Sequence, residues 1–93
     1  MRADDSAELH LRGRVTMAEH RALLARAAEF RTARALTVDW SAVEAADSSA
    51  LALMLAWRRE ASARGVTLRH RALPSSLLAL ADLYGVRELL SDA

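Results

Sequence analysis

Between residues 36 and 65 the chain commits itself to one local arrangement. Leu36, Thr37, Val38, Asp39 and Trp40 form a β-prone run, and residues 41–46 read as a turn. Asp47, Ser48 and Ser49 then open a strongly apolar helix that continues to about Ala63 and is stopped by Gly65. β-branched and aromatic side chains suit a pleated strand, whereas Ala, Leu and Met lose little rotamer freedom in a helix. A strand that leads through a short turn into an apolar helix is the unit from which an α/β layer is built, and the rest of the chain decides whether it recurs.

The remaining chain repeats the alternation. Glu8, Leu9, His10, Leu11 and Arg12 alternate polar and apolar, a half-buried strand ending at Gly13. Thr16 and Glu19 have capping-box spacing, which predicts a helix start. Leu23, Ala27 and Phe30 then recur on one helical face, with an end near Arg31 to Arg34, where cations suit the carbonyl terminus. Val66 to Arg71 reads as a third strand, with Val66, Leu68 and His70 on one side. Pro74 and Ser75 open a last helix with an apolar stripe of Leu77, Leu80, Ala81 and Tyr84, ended by Gly85, while Val86 to Leu90 is too short to classify. The order strand, helix, strand, helix, strand, helix predicts a small sheet with crossover helices. With 93 residues the chain reads as one domain, residues 1–93.

Composition narrows the chemistry. A hydrophobic fraction of 53% supplies a core, although much of it is alanine. The absence of cysteine removes disulfides, thiolate nucleophiles and cysteine metal sites. The net charge is +1, and the arginines are scattered among acidic residues rather than gathered in a basic stripe with aromatics, which argues against nucleic-acid binding. The N-terminal residues carry no apolar segment of the secretory or lipidated kind, and the longest apolar run, Ala50 to Trp57, is far short of the ~20 residues a membrane span needs. A cytoplasmic protein without direct membrane insertion is expected.

The middle helix has more apolar surface than one core-facing stripe requires. Leu51 and Leu55 fall on one flank and Leu53 and Trp57 on the other, with Ala50, Met54 and Ala61 between them. Either a neighbouring helix covers the second flank or a partner does, and Trp57 is the residue most characteristic of an interface.

Asp47, Ser48 and Ser49 admit three uses. Their oxygens can cap the helix, a hydroxyl can accept a phosphoryl group at the positive end of the helix dipole, or the turn can face another protein. A hydrolase triad of Asp47, Ser49 and one of His10, His20 or His70 lacks the Gly-x-Ser-x-Gly elbow. The histidines lack the pairing that holds zinc on a helix, and no glycine-rich loop cradles a phosphate. No cofactor or metal is expected.

The run Leu36-Thr-Val-Asp-Trp-Ser-Ala-Val-Glu-Ala-Ala-Asp-Ser-Ser-Ala-Leu-Ala-Leu-Met-Leu resembles the signature of STAS domains, the sulfate-transporter and anti-sigma-factor-antagonist family. Leu11-Arg-Gly-Arg-Val-Thr and Leu77-Leu-Ala-Leu-Ala-Asp-Leu-Tyr-Gly-Val-Arg-Glu-Leu-Leu resemble its second-strand end and its final helix and tail. The resemblance implies a STAS-like α/β fold, a small mixed sheet of about four or five strands with helices packed on one face, and no catalytic activity. It is closest to the MlaB-like branch. That implies a partner of the ATPase subunit of an Mla-type phospholipid ABC transporter with its permease, peripheral to the inner membrane and serving lipid asymmetry. Asp47, Ser48, Ser49, Leu53 and Trp57 are then expected at the ATPase contact. The other branch, the anti-sigma-factor antagonists, implies a kinase-like anti-sigma factor as partner and phosphorylation at Ser49, with Ser48 as the second candidate. Ala50 departs from the glycine common after the serines in both branches.

Overall fold

The computed structural model describes residues 6–32 and 34–90. The N-terminal residues 1–5, read above for a leader, lie outside the described residues. Among those described, three strands, β1 (Ser6–Val15), β2 (Ala35–Ala46) and β3 (Thr67–Arg71), form a sheet in the order β1-β2-β3. Both pairings are parallel. The sheet is therefore purely parallel and has fewer strands than the four or five of the expected mixed sheet. Parallel neighbours follow from the connections, because each strand reaches the next through helix and not through a hairpin.

Two crossovers that advance in the same direction put their helices on the same face when both take the usual right-handed sense. The burial pattern agrees. Leu9, Leu11 and Val15 of β1 and Leu36, Val38 and Trp40 of β2 are buried under α1 (His20–Ala25), α2 (Ser49–Arg64), α3 (Ser75–Leu83) and α4 (Arg87–Leu90). The opposite face is polar and open. There His10 Nδ1 lies 3.0 Å from Asp39 Oδ2 and its Nε2 lies 3.1 Å from Glu8 Oε1, while Arg71 reaches Glu8 at 3.3 Å and Asp39 at 3.2 Å. Register makes this possible, since His10 is opposite Asp39 and Asp39 is opposite Arg71. The Ser41 backbone N–H and hydroxyl, followed by Arg71, hold the Asp39 carboxyl well below the usual carboxylate range. Of the other histidines, His20 is half-buried and His70 accepts the Trp40 indole N–H at Nδ1, 3.0 Å away.

Two sequence boundaries move for one reason. Residues 41–46, read as a turn, continue β2, and β1 continues through Gly13 to Val15. Between His10 and Arg12 the partner strand advances from Asp39 to Ala42, and between Gly13 and Arg14 it advances from Val43 to Ala45. β2 thus holds an extra residue at each irregularity, which breaks the two-residue alternation by which a strand is recognised. Gly13 has φ +69°, a value glycine adopts at low cost.

The first helix is less regular than its periodicity predicts. A 3-10 turn at Met17–Glu19 precedes α1, and a second 3-10 segment, Arg26–Thr32, follows it. The Thr16–Glu19 cap forms as expected. Glu19 Oε1 accepts the Thr16 backbone N–H at 2.9 Å and its hydroxyl at 2.6 Å, and the Glu19 N–H donates to the Thr16 carbonyl at 3.0 Å. Phe30 ends up fully buried. At the other end of the chain Tyr84, placed on the apolar stripe of the last helix, is 57% exposed, because α3 ends at Leu83 and Tyr84 is its cap.

Candidate functional site

Parallel strands and the helices that follow them place three strand-to-helix junctions at one edge of the sheet: β1 to the turn before α1, β2 to α2 and β3 to α3. The Asp47-Ser48-Ser49 turn is the middle junction. Its backbone is tied to the first by the Asp47 N–H, which donates to the Val15 carbonyl at 3.4 Å.

Asp47 organises the turn. Its Oδ1 accepts the Ser49 backbone N–H at 2.9 Å and also the Ser49 hydroxyl. Its Oδ2 accepts the backbone N–H of Met17 at 3.1 Å. One carboxylate thus closes the first turn of α2 and fastens the preceding loop to it. The Ser49 hydroxyl, with the Met17 and Ser49 amides, lowers the Asp47 carboxyl from its usual range. Capping, which the sequence distributes over three residues, falls to Asp47, and Ser48 at the N-cap makes no side-chain capping bond.

The two serines therefore stand in different states. Ser49 is 5% exposed and its hydroxyl proton is committed to Asp47. Ser48 is exposed, with its hydroxyl turned to no capping role.

Leu53 and Trp57 do not join them. Leu53 is 0% and Trp57 1% exposed, and both belong to the core with Ala50, Leu51, Met54 and Ala61. Phe30 meets the Trp57 ring edge-on, centroids 5.7 Å apart and planes at 74°. The expectation that these two residues face a partner is corrected: both are buried within the chain, with Phe30 packed on Trp57. The Trp57 indole N–H is buried without a hydrogen-bond partner among the described residues, a polar atom accepted for the sake of the ring's packing.

Sequence reading missed Met17. It lies at the same edge as Ser48, on the loop that Asp47 holds, and is 69% exposed. Among the described residues the other large apolar side chains open to solvent are Leu83 and Tyr84, at the far end of α3, and the half-covered Leu24. Met17 sits inside the Thr16–Glu19 capping box, and nothing in the pattern of its own segment marks it as exposed. No cluster of His, Asp and Glu among the described residues could hold a metal ion, and no described helix is long and apolar enough to cross a membrane.

Solved structures share this architecture. The chain is similar to a sulfate transporter family protein from Wolinella succinogenes, with TM-score 0.76 and 12% identity over 95% of this chain and 73% of that one. It is similar also to the STAS domain of a SulP transporter from Vibrio cholerae, with TM-score 0.71 and 14% identity over 99% of this chain and 73% of that one. The anti-sigma factor antagonist SpoIIAA in its unphosphorylated form aligns with TM-score 0.67 and 14% identity over 89% of this chain and 78% of its own. At these identities the likeness is one of fold. A family model described as "Mlab, STAS domain" matches residues 1–91. Comparison with curated proteins returns no significant match.

Proposed function

The chain belongs to the STAS domain family, in its MlaB group, and from that premise we propose that it is the subunit that docks on the ATPase of an Mla-type phospholipid ABC transporter. STAS domains are non-catalytic interaction modules, so the contribution is a contact free energy between surfaces and not bond chemistry. The observation that carries the reading is the state of the hydroxyl turn. Ser48 is presented on a turn already locked by the Asp47–Ser49 hydrogen bonds, which spares a partner the entropy of ordering it. Docking there would hold the ATPase in a competent arrangement beside its permease, with this chain peripheral at the inner membrane and the complex maintaining lipid asymmetry.

The alternative, an anti-sigma-factor antagonist switched by a kinase-like partner, needs a phosphoryl group on a serine of this turn. Ser49 is poorly placed for that, being buried and bound to an ionised carboxylate that would repel the phosphate. Ser48 is free of that obstacle. Co-purification of the Ser48→Arg variant with the ATPase tests the docking reading: loss of the complex with an unchanged thermal transition is expected, and an undiminished complex refutes it. Intact-mass measurement after incubation with an anti-sigma-factor kinase and ATP tests the alternative, which a fully unmodified chain removes.

A further inference from the structure

We infer that Met17 is the apolar anchor of the same docking surface and that Asp47 acts by positioning it, an inference that rests on the docking reading above. The turn that carries Met17 is pinned on two sides. Asp47 Oδ2 holds its backbone N–H at 3.1 Å, and the Thr16–Glu19 cap closes the turn immediately around it. The side chain on this fixed backbone is 69% exposed. An apolar side chain left open at one rigid point, while Leu9, Leu11 and Val15 of the preceding strand are buried, has its hydrophobic free energy still to be realised on contact.

The same Asp47 carboxylate binds the Ser49 amide through its other oxygen, so one side chain ties the loop of Met17 to the turn of Ser48. Around it Arg14 lies 3.7 Å from Glu19, while Asp47 keeps its negative charge, both oxygens being occupied by neutral donors of this chain. The matching surface on the ATPase is therefore an apolar socket for the Met17 side chain, with a hydrogen-bonding group beside it for the Ser48 hydroxyl and no carboxylate facing Asp47. A central apolar contact inside a polar rim is the arrangement in which single residues dominate binding.

Asparagine at position 47 keeps one acceptor oxygen but turns the other into an amide donor, which cannot receive both the Ser49 and the Met17 N–H groups. Affinity for the purified ATPase subunit is measured for the intact chain and for Met17→Ala, Met17→Leu, Asp47→Asn, the Met17→Ala/Asp47→Asn double variant and Ser48→Arg, each checked for a native circular dichroism spectrum. Met17→Ala is expected to weaken binding about tenfold, equivalent to about 1.4 kcal/mol, while Met17→Leu stays close to the parent. The double variant should lose less than the sum of the two single losses, because part of the Asp47 effect passes through Met17 and the rest through the Ser48 turn. Unchanged affinity of Met17→Ala overturns the inference even where Ser48→Arg abolishes binding. Unchanged affinity of Ser48→Arg overturns instead the docking reading on which it stands. Strict additivity of Met17→Ala and Asp47→Asn overturns the positioning role of Asp47.

Discussion

Leu53→Ala separates a core residue from an interface residue by experiment. Leu53 has no solvent-exposed surface and lies one helical turn before Trp57 on the buried side of α2. Truncation removes three side-chain carbons, worth roughly 2 kcal/mol at about 0.8 kcal/mol per buried methylene. The core to which Leu53 belongs, with Trp, Phe and aliphatic side chains, relaxes only in part around a cavity, which brings the loss to about 3 kcal/mol. A domain of this size has a total stability of roughly 5–14 kcal/mol. Each kcal/mol displaces the midpoint of a small domain by about 4–8 °C, so the transition should fall by about 12–24 °C. Thermal unfolding followed at 222 nm, with a urea titration to confirm an unchanged slope, reads this directly. At a temperature where the variant is still folded, its affinity for the ATPase should equal that of the parent. A midpoint within about 2 °C of the parent, accompanied by lost binding, would refute the assignment of Leu53 to the core.

Two further outcomes follow from local geometry. Gly65 closes α2 in the left-handed region at φ +72°, where its N–H donates to the Ala61 and Ser62 carbonyls; Gly65→Ala is expected to cost about 1 kcal/mol in urea unfolding, and a neutral or stabilising result would contradict that backbone conformation. Asp39 carries a carboxyl depressed in the folded state by the Ser41 N–H and hydroxyl and by Arg71, so its stabilising contribution is complete above the unfolded value of about 3.9 and is lost as the pH falls below it. Asp39→Asn should therefore lower the midpoint at neutral pH and flatten its decline between about pH 5 and pH 2.5. Glu8, Glu19 and Asp47 are lowered as well and keep part of the slope, but curves that run parallel for parent and variant would remove Asp39 from the account.

Much of the fold was legible because local signals agreed. The Thr16–Glu19 pair, the stop at Gly65 and the start after Pro74 each mark a helix end by a mechanism that operates within a few residues. The misread segments are those where this locality fails. Residues 41–46 carry bulges whose extra residues exist only in relation to β1, and no pattern within β2 announces them. Tyr84 continues the spacing of an apolar stripe past the point where its helix ends. At the candidate site the sequence identified Asp47, Ser48 and Ser49 as a group without separating their roles. Ser48 and Ser49 are neighbours of identical chemistry, and only the bonds that Asp47 makes distinguish the exposed hydroxyl from the buried one.

By itself the sequence determined the alternation of strands and helices, the ends of most of them, the family signature and the wide apolar arc of α2. These depend on periodicity and on caps, which act over one or two turns. Only the tertiary structure decided what covers that arc and what is left uncovered. Phe30 reaches Trp57 from a segment that precedes β2 in the chain, and Met17 is held beside the hydroxyl turn by a carboxylate far along the chain. Hydrophobic periodicity states which side chains favour burial, but the identity of the surface that buries them is a property of packing between distant segments. For that reason Trp57 belongs to the core, and the open edge of the sheet carries Ser48 and Met17.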